Sequence, residues 1–346
     1  MDNKQNPSSF PKKKYRKMKN EEISINDYIK GILNKDRVML AKAITLIESN
    51  LPEHKKKSQQ ILKELLPYTG NSVRIGISGV PGAGKSTFIE SFGLHLIKQH
   101  HKVAVLAIDP TSSVNGGSIL GDKTRMEQLV KEKNAFIRPS PSEGTLGGVH
   151  RKTRETIALC EAFGFDVIIV ETVGVGQSEA NVRGMVDFFL LLAITGAGDE
   201  LQGMKRGIME LVDAIVVNKA DGDNIRHAEK TKREFNQILH FLQPATKGWT
   251  TKAYTCSALY HQGMEEIWKV IQQFIKTTKT SGVFYERRKE QRKDWVHALI
   301  QEKLLMDFYQ DSNVKSIYPS LIQQVVEGQM PATEAVESLF QAFYQK

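Results

Sequence analysis

The chain has 346 residues, 40% of them apolar and 25% charged, which is enough to bury one large core or two ordinary ones and too apolar for a disordered polymer. Its longest unbroken apolar run, Phe188 to Ile194, is seven residues, against the roughly 20 that a membrane-spanning helix needs, so no helical membrane span is expected. Two cysteines 96 positions apart, Cys160 and Cys256, exclude a disulfide framework and a cysteine-rich metal site, and fit a reducing, cytoplasmic compartment.

The net charge of +9 is concentrated at one end. Residues 1–20 carry +6, from Lys4, Lys12, Lys13, Lys14, Arg16, Lys17 and Lys19 against Asp2, which leaves +3 for the other 326 residues. Residues 1–22 therefore read as a basic, solvated tail, with a weak contact to nucleic acid or lipid as the alternative. The tail lacks the apolar segment of a secretory signal. Nucleic-acid binding is not the expected function.

Residues 23–70 predict a helical extension. Tyr28, Ile29, Ile32 and Leu33 form one apolar stripe at helical spacing. Leu40, Ala43, Ile44 and Ile47 form a second, and Ile61, Leu62, Leu65 and Leu66 a third. From Asn71 the period changes. Val73–Ile77, Val103–Ile108, Val167–Val170, Phe188–Ile194 and Ala214–Val217 are short, nearly continuous apolar runs, and a shorter one surrounds Tyr254. Strands buried on both faces and alternating with helices predict an α/β fold over 71–282, with a mostly parallel, doubly wound sheet. Residues 283–346 read as helical again: 284–309 carry Trp295, Leu299, Leu304, Leu305 and Phe308 among many charges, and 316–344 hold a second helical pair around Gly328 to Pro331.

The string Gly79-Val80-Pro81-Gly82-Ala83-Gly84-Lys85-Ser86 fits the phosphate-binding loop G-x-x-x-x-G-K-[ST] between a strand and a helix. Glycines let successive backbone N–H groups converge on phosphates, and the helix N-terminus, with Thr87 in its first turn, adds positive partial charge. Lys85 is expected to neutralise the β- and γ-phosphates, and Ser86 to ligate Mg²⁺. Asn218-Lys219-Ala220-Asp221 directly follows a buried strand. The Asp221 carboxylate can accept from N1–H and the 2-amino group of guanine, whereas adenine presents an acceptor there, so the expected ligands are GTP and GDP. Ser257, Ala258 and Leu259, after Cys256 at another strand end, are the expected supporting guanine loop, with Cys256 a core residue rather than a nucleophile.

Three acids are candidates for the metal and the attacking water. Asp109 ends the second strand, where it can meet the phosphates or cap the turn before Pro110. Asp122 lies in a polar, glycine-rich loop that can follow the γ-phosphate or be a solvated turn. Glu171, at the end of Val167–Val170, can bind Mg²⁺ through water or orient the attacking water, which makes Lys85 and Glu171 the candidate catalytic pair. The loop Gly196–Lys205 reads either as a flexible connection or as a mobile element facing a partner.

Together these strings resemble the MeaB/ArgK family of P-loop GTPases, the G proteins that serve adenosylcobalamin-dependent acyl-CoA mutases. The resemblance is carried by residues 36–49 (DRVMLAKAITLIES), 116–126 (GGSILGDKTRM), 138–148 (RPSPSEGTLGG), 171–179 (ETVGVGQSE), 196–202 (GAGDELQ) and 218–224 (NKADGDN). It implies a GTPase core with an N-terminal helical extension and a C-terminal arm that forms a homodimer. It also implies switch loops at 116–125, after Glu171 and at 196–205, with Arg125, Asp199, Glu200 and Lys205 as switch or partner residues. The implied partner is methylmalonyl-CoA mutase or a related mutase, whose cofactor delivery the protein gates and which it protects or reactivates. The chain departs from the family pattern at His150, at Arg183-Gly184 and at Thr195, which stands in place of a proline. The competing reading is a P-loop phosphotransferase. It would need an acceptor site and a base, and has no evident use for a guanine-reading element.

Overall fold

The computed structural model describes residues 23–109, 126–141, 146–172, 178–195 and 206–344. Three helices open the described chain. α1 (Ile25–Leu33) starts at a capping box in which Ser24 Oγ accepts from the Asp27 N–H and the Asp27 carboxylate accepts from the Ser24 N–H. α2 (Arg37–Glu48) starts at Asp36, whose carboxylate accepts from the Val38 and Met39 N–H groups. α3 (Pro52–Leu65) opens on a proline, whose missing N–H costs nothing at that position. The predicted stripes are the buried faces and share one core with the sheet, apart from Leu66, which is exposed.

The next segment alternates strand and helix: β1 (Val73–Gly79), α4 (Lys85–Lys98), β2 (Val103–Asp109), β3 (Ala135–Pro141), α5 (Leu146–Phe163) and β4 (Val167–Thr172). It continues with α6 (Ser178–Arg183), β5 (Phe188–Ala193), α7 (Arg206–Met209), β6 (Ala214–Val217), α8 (Ile225–His240), β7 (Lys252–Thr255) and α9 (Met264–Thr280). The seven strands pair in the order β3-β2-β4-β1-β5-β6-β7, and every pair is parallel. The doubly wound α/β expectation is therefore met. The chain reverses its direction of travel across the sheet around β1, so the loop after β1 opens at a topological switch point, where such folds bind ligands.

β3 has no counterpart among the predicted strands. It is an edge strand carrying Pro139 and Pro141, which cannot donate to a ladder and are tolerated only at an edge. Its alternation of buried Ala135, Ile137 and Pro139 with half-buried Phe136 and Arg138 is short and broken by those prolines.

Three further helices follow: α10 (Val283–Gln310), α11 (Ser312–Val326) and α12 (Ala332–Tyr344). Only the start of α10 enters the main core, through Phe284, Arg288 and Gln291. Val314, Leu321, Ala335 and Leu339 form a separate small core with Phe308, Ile317 and Phe343 packed against it. Among the described residues no helix is long and apolar enough to cross a membrane.

Buried ion pairs gather at the N-terminal ends of the strands, and the pair of Arg288 with Asp187 ties α10 to the start of β5. Arg288 donates from Nε and Nη2 to the two Asp187 oxygens at 2.7 Å each, and from Nη2 to the Ser72 carbonyl at 2.7 Å. Asp187 in turn accepts from the Arg74 N–H at 2.8 Å. Arg74 pairs with Glu161 at 2.9 and 3.0 Å, and Arg183 pairs with Asp213. Burial pushes Arg288 down, but the Asp187 carboxylate outweighs it and holds the guanidinium above its usual range.

Arg288→Ala leaves the Asp187 carboxylate, 1% exposed, without its cation. It should destabilise the fold by about 3–5 kcal/mol in urea unfolding at pH 7, the cost of stranding one member of a buried pair. Glu155, on α5, has one buried oxygen without a hydrogen-bond partner and is raised from 4.5 to about 6, first by burial, with Arg151 opposing. A folded pKa above the unfolded one means that ionised Glu155 opposes folding above about pH 6, and that this penalty fades as pH falls toward 4.5. Glu155→Gln should therefore gain about 2 kcal/mol at pH 7 and only about 0.4 kcal/mol at pH 4.5, read by urea unfolding at both pH values.

Candidate nucleotide site

The string Gly79–Ser86 turns from the end of β1 into α4. Gly82 and Gly84 hold φ of +81° and +82°, a left-handed conformation that side chains disfavour. Close approach adds a second constraint. A Cβ on Gly84 would lie 2.8 Å from Asn218 Nδ2, and one on Gly79 would run into the Leu192 carbonyl of β5. Lys85, Ser86 and Thr87 form the first turn of α4, whose N-terminus has no side-chain cap, so its leading N–H groups are available to an anion. Lys85 Nζ donates to the carbonyls of Gly79 at 2.8 Å and Val80 at 3.3 Å. Burial lowers the Lys85 pKa, and the field of Glu171 works against that shift. Val80 and Ala83 are buried beneath the loop, while Pro81 and Gly82 face solvent.

Glu171 lies on β4, in register with Ile77 of β1 on one side and Ala107 of β2 on the other, and is buried. The adjoining Thr172 hydroxyl donates to Ser78 Oγ at 2.9 Å, which ties the ends of β4 and β1 together. Asp109 is the last residue of β2. Its side chain, and all of Asp122, Arg125, Asp199, Glu200 and Lys205, lie outside the described residues, as do residues 1–22.

Asn218 is the junction of three loops. Its Nδ2 donates to the Ala83 carbonyl at 2.9 Å, and its Oδ1 accepts from the Ala258 N–H at 3.0 Å and from the Cys256 thiol at 3.3 Å. Asp221 accepts from the Ser257 hydroxyl at 2.5 Å, and the Ala220 N–H donates to the Cys256 carbonyl at 2.9 Å. Ser257 and Ala258 are buried, whereas Leu259 and Lys219 are exposed. Burial, with Asp221 adding to it, pushes the Cys256 thiol up to about 12, so it is protonated at neutral pH and is a poor nucleophile. The sheet thus brings Gly79–Thr87, Glu171, Asn218–Asp221 and Ser257–Leu259 to one edge.

Two supporting contacts have no counterpart in the sequence reading. The Ser91 hydroxyl on α4 and His261 Nδ1 share a hydrogen bond of 2.7 Å, linking the phosphate-loop helix to the loop after Cys256. A buried serine on the apolar side of α4 was the available signal. Thr195 Oγ1 donates to Asn224 Oδ1 at 2.8 Å, and no local pattern announces that pair.

Residues 40–313 match the family described as methylmalonyl Co-A mutase-associated GTPase MeaB. A relative from Escherichia coli named GTPase ArgK is 46% identical over 297 residues, covering 86% of this chain and 90% of its own. A mouse relative named methylmalonic aciduria type A homolog, mitochondrial, is 41% identical over 333 residues, covering 93% of this chain and 80% of its own. A crystal structure titled LAO/AO transport system kinase superposes with a TM-score of 0.74 at 37% identity, covering 93% of this chain and 98% of that one. With four-fifths of its length inside the family match and these relatives spanning nearly all of it, the chain belongs to the MeaB family of methylmalonyl-CoA mutase-associated GTPases.

Proposed function

We propose that the protein is a GTP-hydrolysing switch that gates adenosylcobalamin delivery to methylmalonyl-CoA mutase, or to a related acyl-CoA mutase, and protects or reactivates it. The observation that carries the nucleotide half is the Asn218 amide, which holds the phosphate loop at Ala83 and the loop at Ala258 in one frame. The mutase half is supported by the family description and by the name of the mouse relative.

In this reading the N–H groups of Gly79–Thr87 cradle the phosphates, and the Lys85 ammonium exchanges the Gly79 and Val80 carbonyls for β- and γ-phosphate oxygens. Asp221 accepts from N1–H and the 2-amino group of guanine, while Ser257 holds its other face. The Ala258 and Leu259 N–H groups lie toward O6. Ser86 and Glu171 offer a hydroxyl and a carboxylate, the hard oxygen donors that suit Mg²⁺, with Asp109 and Asp122 as further candidates. When bound, that ion neutralises charge between the β- and γ-phosphates. Glu171 orients the attacking water. Arg125, Asp199, Glu200 and Lys205 report the nucleotide state to the partner. The exposed apolar residues of α10–α12, among them Leu304, Leu305 and Val326, support a homodimer built on this arm.

Lys85→Ala should abolish GTP binding in a fluorescent-nucleotide titration. Glu171→Ala should leave binding within about threefold and slow single-turnover hydrolysis by about 10²-fold, the range for losing a positioned base. An unchanged rate removes Glu171 from this role. The decisive experiment measures GTP turnover with and without methylmalonyl-CoA mutase, together with co-elution in a non-hydrolysable GTP analogue and in GDP. Faster turnover and nucleotide-dependent co-elution are expected. Turnover untouched by the mutase overturns the partner. Transfer of labelled γ-phosphate to arginine or protein, in excess of its release to water, replaces the switch with the phosphotransferase reading.

A further inference from the structure

The guanine-reading turn is stapled from outside by a two-step hydrogen-bond relay. Lys219 takes a left-handed φ of +61°, a conformation uncommon for residues other than glycine. Asn224 supports it: its Nδ2 donates to the Lys219 carbonyl at 2.7 Å and its backbone N–H to the Asp221 carbonyl at 3.0 Å. A carbonyl accepts only, so the amide must aim Nδ2 at Lys219 and leave Oδ1 for a donor. Thr195 is that donor, at 2.8 Å. It lies two residues beyond the end of β5, so the relay fastens the turn to a strand that pairs directly with β1.

We propose that Thr195 is a positioning residue for guanine discrimination: through Asn224, its hydroxyl holds the Lys219–Asp221 turn in the conformation that aims Asp221 at the purine edge. The proposal rests on the reading of Asp221 as the guanine acceptor. Two donors on guanine meet one carboxylate, and both must be in line at once. Hypoxanthine keeps N1–H and lacks the 2-amino group, so it asks less of the carboxylate's orientation. Loosening the turn therefore weakens GDP more than inosine diphosphate.

The test uses the full chain and compares GDP with inosine diphosphate, by titration calorimetry and by fluorescent-nucleotide dissociation, in wild type, Thr195→Val, Thr195→Ser and Asp221→Ala. Valine keeps the shape and removes the hydroxyl, and serine keeps the hydroxyl. Thr195→Val should lower the preference for GDP over inosine diphosphate by about three- to fivefold, in the range of one neutral hydrogen bond. Thr195→Ser should restore the preference, and kcat at saturating GTP should not change. An unaltered preference in Thr195→Val overturns the proposal. An equal loss for both nucleotides also overturns it, because that marks general loosening rather than positioning. Asp221→Ala separates the two layers: if it leaves the preference intact, the guanine reading itself fails. If it abolishes the preference while Thr195→Val does not, only the role of Thr195 fails.

Discussion

Parallel strands impose the constraint on which the rest of the molecule depends. Because all seven run the same way, every strand-to-helix loop emerges at one edge of the sheet and every return enters at the other. The two edges have different chemistry. At the carboxyl ends lie glycines, amide groups and a few acids. At the amino ends lie the pairs of Arg74 with Glu161, Arg183 with Asp213 and Arg288 with Asp187. The first edge leaves backbone donors available to an anion. The second spends its charges internally, and one of its pairs, Arg288 with Asp187, binds α10 to the start of β5. The start of the long helix α10 is thus joined to the same sheet whose opposite edge carries the candidate nucleotide loops.

One side chain brings the loops at the first edge into register. Ala83, Asn218 and Ala258 are far apart in sequence, and a single buried amide spans them. Its geometry suits no close substitute. An aspartate would lose the donor that meets the Ala83 carbonyl and would bury a charge. A serine would be too short to reach both loops. The close approach of Gly84 to the same amide makes the glycine a packing requirement as well as a conformational one. The strings Gly79–Ser86 and Asn218–Asp221, read as phosphate-binding and base-reading, therefore fit each other through a contact that neither displays alone.

That distinction marks what was legible in the sequence. Backbone recognition of anions demands glycine at set spacings, so Gly79–Ser86 is visible in a bare string. Strands buried on both faces are visible as apolar runs, and the three N-terminal stripes as helical periodicity. Leu66 matched its stripe and is exposed: its N–H still closes the last turn on the Leu62 carbonyl, so it keeps the helical period, but it lies on the flank of the stripe with half-buried Leu62 rather than with buried Ile61 and Leu65. β3 was hidden because an edge strand needs only one good ladder and tolerates prolines. The pairs Ser91–His261 and Thr195–Asn224 were hidden for another reason. In each, no local pattern announces the partner, and only the topology makes the two residues neighbours.

Thr195 stands where the family resemblance implies a proline, and it restrains the chain through a contact rather than through a ring. A proline at that position would limit the backbone by its ring, acting locally and mainly through the entropy of the unfolded chain. Threonine does not restrict its own backbone in that way. Here its hydroxyl is bonded to Asn224, and a net hydrogen bond of about 1 kcal/mol is comparable to what a compatible proline contributes. The two devices are similar in size and different in reach. A proline stiffens only its own stretch of backbone. A hydrogen bond has a second end, and this one lies on the turn that carries Asp221. Whatever displaces Thr195 must then also strain the base-reading turn, and by linkage whatever orders that turn resists displacement of Thr195.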